Sequence, residues 1–361
     1  MMTSSSAKSS ASWVLILAMV LAVPSTAFAS PIKLESKMIT LPNPDPGGAA
    51  CLDGSPYAFY IVPGSSASFS IGIHGGGWCY DEIDCLERSK TALGTSTLWN
   101  ATSCFSPPVG VLLRGRLNQS TLWRAHPNPS PSPSPAPSPS ATGRLRPCPL
   151  PLTTNCSPVL PIASFNCNGM ANCTMVFMPY CDGSSFTADR RQPWAVPNTT
   201  TPQHLLFRGR RNLARTLDIL AQDWGLGDAA DVVLYGGSAG GLSTYLNLDY
   251  VQQRLPAARV VGMPVAGYFL DHAPAPFAAP IPPYQPPFQQ VPRPYSSYPQ
   301  AIHYMVGMHN STGQLDPECR ARFGLAEEWK CAMAPHMHSF VKAPFFAVQS
   351  RFDEWQLGPG E

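Results

Sequence analysis

A serine flanked two residues away on each side by glycine is a spacing that can do acyl-transfer chemistry. This chain carries it as Gly236-Gly237-Ser238-Ala239-Gly240. The apolar run Asp231-Val232-Val233-Leu234-Tyr235 precedes it and a helical stretch, Leu242 to Val251, follows. On a sharp strand-to-helix turn the serine hydroxyl is pushed out over the sheet edge, while the glycines let the backbone fold beneath it. The same string fits an ordinary glycine-rich turn, so the flanking elements decide.

A second feature lies upstream. The apolar run Phe69 to Ile73 ends in His74-Gly75-Gly76-Gly77-Trp78-Cys79. Glycines after a strand let backbone N–H groups face a cleft, as an oxyanion hole requires, though the run would also serve as a plain tight turn. The third is Asp353, just past the late apolar run Pro344 to Gln349. In a Ser–Asp–His order it stands where the acid belongs, and a carboxylate there would equally cap a turn. The base should follow Asp353, yet no histidine follows His338. His336 and His338 come before the last strand, near its far end, and read as solvated or structural groups.

These residues need a scaffold whose strands end on one edge. Tyr57 to Val62 reads as a strand and, with the turn Gly64-Ser65-Ser66, as the first arm of a hairpin with Phe69 to Ile73. Thr174 to Pro179 is a further strand. Leu213, Leu217, Leu220 and Trp224 recur at helical spacing, closed by Gly225. Val260 to Ala266 is another strand, and residues 300–333 read as helices. Strands alternating with helices predict an α/β class with a mainly parallel sheet and flanking helices.

The chain has 361 residues, enough for a large core; 44% are hydrophobic and 13% charged. A net charge of +2 without a dense basic block gives no case for nucleic-acid binding. Residues 1–29 read as a secretory signal: Lys8, the apolar run Trp13 to Val23, then Ala27-Phe28-Ala29 as the cleavage site. A retained signal anchor is the alternative, although the run is short for a membrane span. No other segment is long and apolar enough to cross a bilayer, so a secreted chain, extracellular or in a cell wall, is expected. Eleven cysteines suit an oxidising compartment, with Cys79 and Cys85, Cys167 and Cys173, and Cys319 and Cys331 close enough to pair. No metal or other cofactor is expected, and the active form is expected to be a monomer. Asn100, Asn118, Asn155, Asn172, Asn198 and Asn310 head glycosylation sequons. Of 41 prolines, many lie in the Pro/Ser-rich stretch at about residues 126–161, read as an extended insertion in the domain 30–361. A second Pro-rich stretch, Ala273 to Pro299, carries aromatics and reads as a lid or rim.

Eight blocks together resemble the pectin acetylesterase and Notum family of secreted carboxylesterases. They are Cys51-Leu52-Asp53-Gly54-Ser55, Gly75-Gly76-Gly77-Trp78-Cys79, residues 176–183, Phe207-Arg208-Gly209, residues 236–242, Gly267-Tyr268-Phe269-Leu270-Asp271, Glu328-Trp329-Lys330-Cys331 and residues 352–357. The resemblance implies an α/β-hydrolase-like fold, Ser238 as nucleophile and Asp353 as triad acid. It implies an oxyanion hole of the Gly77, Trp78 and Ala239 N–H groups. It also implies disulfides Cys51–Cys181, Cys79–Cys85 and Cys319–Cys331. The family carries its catalytic histidine well downstream of the aspartate, so here it is expected beyond residue 361, with the chain truncated at its C-terminus. The implied reaction is hydrolysis of acetyl esters on pectin or a related wall polysaccharide. The alternatives are a catalytically incompetent polysaccharide-binding relative and a Notum-type protein fatty-acyl deacylase.

Overall fold

Six strands build the central sheet, and their burial explains why the sequence forms them. In a computed structural model the described residues are 34–100, 104–105, 172–197, 199, 201–271, 295, 297–351, 353 and 356. The expected signal segment 1–29 and the Pro/Ser-rich stretch lie outside them. The elements run β1 (Leu34–Glu35), β2 (Lys37–Thr40), β3 (Ala58–Val62), β4 (Ser68–Ile73), α1 (Glu82–Arg88), β5 (Cys104–Phe105) and β6 (Thr174–Met178). There follow β7 (Trp194–Val196), β8 (Gln203–Leu205), α2 (Gly209–Asp223), β9 (Asp231–Gly237), α3 (Ala239–Arg254) and β10 (Arg259–Val265). The last helices are α4 (Tyr298–His309), α5 (Pro317–Phe323) and α6 (Ala334–Met337).

The sheet order is β10-β9-β4-β6-β3-β2. The pairs β10–β9, β9–β4 and β4–β6 are parallel, whereas β6–β3 and β3–β2 are antiparallel. Strands of a sheet covered on both faces favour apolar residues, and the apolar side chains of both its parallel and antiparallel strands are buried here. Phe59, Ile61, Ile71, Val232, Leu234 and Val260 are all fully buried. Each such side chain contributes about 1.5–3 kcal/mol.

The expected hairpin between β3 and β4 does not form. β6 lies between them, pairing Ile61 with Val176 on one side and Ile71 with Val176 on the other. A partner more than a hundred residues downstream displaces the local one because both its edges are then satisfied. The late run Pro344 to Gln349 is also less regular than a ladder. It meets β10 through two parallel bridges, Gly262 to Phe345 and Val265 to Val348.

The helices cover the sheet. On α2, Leu213, Leu217 and Leu220 are buried, while Arg211 and Arg215 pair with Asp189 and Asp45 on its outer side. Gly225, at φ 76°, supplies the left-handed residue just past its end. α3 packs on β9 and β10, and its first ten residues are buried. α1 is capped by Asp81, whose carboxylate accepts from the Ile83 and Asp84 N–H groups, a cap worth about 1 kcal/mol. No helix among the described residues is long and apolar enough to cross a membrane.

Three disulfides link the described parts: Cys51–Cys181, Cys79–Cys85 and Cys319–Cys331. Cys173 is also disulfide-bonded, and Cys167, its expected partner, lies outside the described residues.

Candidate active site

Because β4, β6, β9 and β10 run parallel, their carboxyl ends share one edge, the usual place for a ligand in such a sheet. The residues that follow those ends are Gly75–Gly77, Asp182, Ser238 and the loop Gly267–Asp271. Asp353 joins the same edge through the Val265–Val348 bridge, five residues before it.

Ser238 stands between β9 and α3 at φ 57°, ψ −126°. A side chain at such positive φ is strained, at a cost of about 1–3 kcal/mol. Two bonds hold it there: the Ser238 N–H donates to the Val265 carbonyl, and the Leu242 N–H donates to the Ser238 carbonyl. Ser238 is exposed, whereas Ala239 beside it is fully buried. As the first helical residue, Ala239 has an N–H without an intrahelical acceptor.

The glycine loop presses against this elbow. A Cβ on Gly75 would stand 2.3 Å from the Gly237 carbonyl oxygen, and one on Gly240 would stand 2.4 Å from the Ile73 carbonyl oxygen. Only glycine permits backbone to approach backbone this closely. Gly77 differs: at φ 65° its Cβ would meet nothing within 4 Å, so the loop opens there. Among the described residues, no hydrogen bond uses the Gly77 N–H.

Side chains tie the two features together. The buried Trp78 indole donates to Ser185 Oγ at 2.9 Å, and that hydroxyl donates to the Ala239 carbonyl at 2.8 Å. The Ser185 carbonyl in turn accepts from Asn247 Nδ2 on α3. Behind the glycines, Arg88 donates from Nη1 to the Gly76 carbonyl at 2.8 Å and from Nε to the Leu93 carbonyl at 3.0 Å. Its guanidinium lies 4.9 Å from the centroid of the Tyr180 ring. Asp182 is fully buried beside this group; burial pushes its carboxyl up to about 6, against the bonds from Ser184 and the charge of Arg88. Burial pulls His74 down to about 4, and the Arg88 charge adds to the shift. Sequence reasoning missed Ser185 and Arg88, whose types give no signal of their own.

Asp353 is half-buried and accepts from Gln349 Nε2 at 2.9 Å and from the Gln356 N–H at 3.2 Å. The Tyr268 N–H donates to Gln349 Oε1, so the aspartate is fixed to the loop after β10. His336 and His338 are drawn to that same loop rather than left beyond the far end of the last strand. His336 Nε2 is 2.6 Å from Asp271 Oδ2, and the His338 ring meets the edge of Tyr268 while its Nδ1 contacts the Ala334 carbonyl. Among the described residues, neither histidine is hydrogen-bonded to Ser238 or Asp353. A third histidine, His309, is buried with Nε2 3.4 Å from Cys85 Sγ and 4.0 Å from Cys79 Sγ. These three groups have metal-ligand types within 4.8 Å of one another, but the two sulfurs are joined in a disulfide and offer no thiolate.

A strained, exposed serine on a strand–helix turn, set against a glycine loop at the carboxyl edge of a parallel sheet, defines an α/β-hydrolase-like protein. The Wnt deacylase Notum from Drosophila shares the fold, with a TM-score of 0.60 at 22% identity over 90% of this chain and 73% of that one. The pectinacetylesterase family model matches residues 30–115 and 162–359, and the chain belongs to that family. Pectin acetylesterase 11 of Arabidopsis thaliana is 26% identical over 316 residues, covering 86% of this chain and 60% of that protein. Palmitoleoyl-protein carboxylesterase NOTUM of Homo sapiens is 27% identical over 192 residues, covering 52% of this chain and 34% of that protein. The chain thus spans about three fifths of the length of the pectin acetylesterases it matches.

Proposed function

We propose that this protein is a secreted serine carboxylesterase that removes acetyl groups from pectin or a related cell-wall polysaccharide. The observation that carries the reading is the exposed Ser238 in its strained turn, facing the open glycine loop, in a chain of the pectinacetylesterase family. Ser238 Oγ attacks the acetyl carbonyl. The N–H groups of Gly77, Trp78 and Ala239 receive the developing oxyanion, where the loss of one donor typically costs about 10²–10³ in rate. The sugar hydroxyl leaves, and water releases acetate from the acyl-enzyme. Asp353, on the same sheet edge as Ser238, is the triad acid that orients the imidazole which takes the serine proton.

The acetyl reading over a fatty-acyl one follows the pectin acetylesterases that the chain matches over most of its length. The test is acetate release from acetylated pectin by the full-length protein, beside a p-nitrophenyl ester series from acetate to palmitate. Acetate release abolished by Ser238→Ala is expected. Turnover confined to long acyl esters would replace the reading with a Notum-type deacylase.

A second reading rests on the histidines: none of those described is hydrogen-bonded to Ser238 or Asp353. In that reading the protein binds acetylated polysaccharide without cleaving it. Pectin retention on an affinity gel with no Ser238-dependent acetate release would establish it.

A further inference from the structure

The Gly76–Gly77 peptide decides which way the Gly77 N–H points, and nothing in the glycine loop itself fixes it. Gly76 at φ 129° and Gly77 at φ 65° leave the plane free to turn, since neither has a side chain to restrain it. In a trans peptide the C=O and N–H point in opposite directions. A group that pulls the Gly76 carbonyl to one side therefore aims the Gly77 N–H to the other. Arg88 is that group: Nη1 holds the Gly76 carbonyl at 2.8 Å, and Nε anchors the same guanidinium to the Leu93 carbonyl at 3.0 Å. The planar fork makes both bonds at once, with the Tyr180 ring 4.9 Å away as a backing. The Leu93 side chain also fills the space where a Gly76 Cβ would be, its nearest carbon 2.7 Å from that point. Arg88 thus holds the loop from behind while the Gly77 side stays open.

We propose that Arg88 is a positioning residue for ester hydrolysis: it sets the Gly76–Gly77 peptide so that the Gly77 N–H meets the oxyanion. The proposal rests on the esterase reading above. Arg88 Nη2 is buried without a hydrogen-bond partner among the described residues, and an unmade bond of this kind is unfavourable. A competing role is neutralisation of the buried Asp182 carboxyl, whose ionisation Arg88 favours.

The experiment compares kcat and KM for p-nitrophenyl acetate in the full chain, its Arg88→Met and Arg88→Lys variants, and the double variant Arg88→Met/Asp182→Asn. Rates are taken per folded protein, measured by circular dichroism. Ser238-dependent turnover in the wild type comes first, and its absence overturns the esterase reading together with this proposal. Given turnover, Arg88→Met is expected to lower kcat about 10²-fold, the typical loss for one oxyanion donor, with KM within about twofold. Arg88→Lys keeps one donor and is expected to fall only about five- to tenfold. An Arg88→Met kcat within about threefold of wild type overturns the proposal and leaves the esterase reading standing. Recovery of kcat in the double variant overturns it in favour of charge neutralisation. Should Arg88→Met fail to fold, Arg88→Lys decides alone, and wild-type kcat in that variant refutes the assignment.

Discussion

Replacing Gly75 by alanine puts a methyl group where the elbow's own backbone already stands. The new Cβ would lie 2.3 Å from the Gly237 oxygen and 3.2 Å from Ser238 Cβ. Ordinary contact begins at 3.4 Å, so the glycine loop and the elbow must separate by 3.4 − 2.3, about 1 Å. Both sides of the contact are backbone, and no side-chain rotation can relieve it. A displacement of about 1 Å at the reacting atoms costs on the order of 10² in rate. Overpacking of this kind also lowers stability by about 1–3 kcal/mol. Gly225→Ala is the control, because its Cβ meets nothing within 4 Å, it lies past the end of α2 away from the elbow, and it carries only the strain of φ 76°, about 1–2 kcal/mol. The assay is kcat for p-nitrophenyl acetate with urea unfolding in parallel. Gly75→Ala should lose about 10²-fold in kcat while Gly225→Ala stays within about twofold. Equal kcat in Gly75→Ala and wild type would show that the close approach does not position the serine.

Ser185→Ala leaves the buried Trp78 indole N–H and the Ala239 carbonyl without their shared partner, so a loss of about 1–3 kcal/mol is expected in urea melts. A change below about 0.5 kcal/mol would mean that neither group depends on that hydroxyl. Cys51–Cys181 spans 130 residues and Cys79–Cys85 spans 6. Chain-entropy reasoning then gives about 5 kcal/mol for removing the first and about 2 for the second, to be measured as serine pairs. The reverse order would refute an entropic origin. His74, lowered from 6.5 to about 4, contributes stability that is present above pH 6.5 and lost as pH falls through about 4. The shift corresponds to about 3 kcal/mol. Asp182, raised from 3.8 to about 6, acts oppositely: its contribution is present below pH 3.8 and lost as pH rises through about 6. The two nearly cancel in wild type. Asp182→Asn should therefore lose stability on acidification from pH 7 to 4 more steeply than wild type, and matching slopes by urea titration would refute the pairing.

The strands that carry the site were legible because each is a short apolar run ending in glycine or a turn. β4, β9 and β10 begin and end within two residues of the sequence reading. The sheet order was not legible. β3 and β4 follow one another across a short turn, and nothing local says that β6 will come between them. The small hairpin of β7 and β8 escaped notice because its strands are three residues each, too short for alternation to register. In the candidate site, Ser238 and the glycines announce themselves by type and spacing. Ser185 and Arg88 do not, since an arginine on α1 reads as a helix's polar face until its acceptor on another loop is known. His336 is similar: its partner Asp271 lies 65 residues away in sequence.

The Cys51–Cys181 bond has a consequence for how the protein would behave when cut. It joins the turn before β3 to the third residue after β6, so the whole of residues 52–180 forms a covalent loop. The Pro/Ser-rich stretch falls inside that loop. A protease that cleaves there produces two polypeptides that stay attached, held by the Cys51–Cys181 bond and by the β3–β6 and β4–β6 pairing across the sheet. The nicked protein would migrate as one species on a non-reducing gel and as two after reduction.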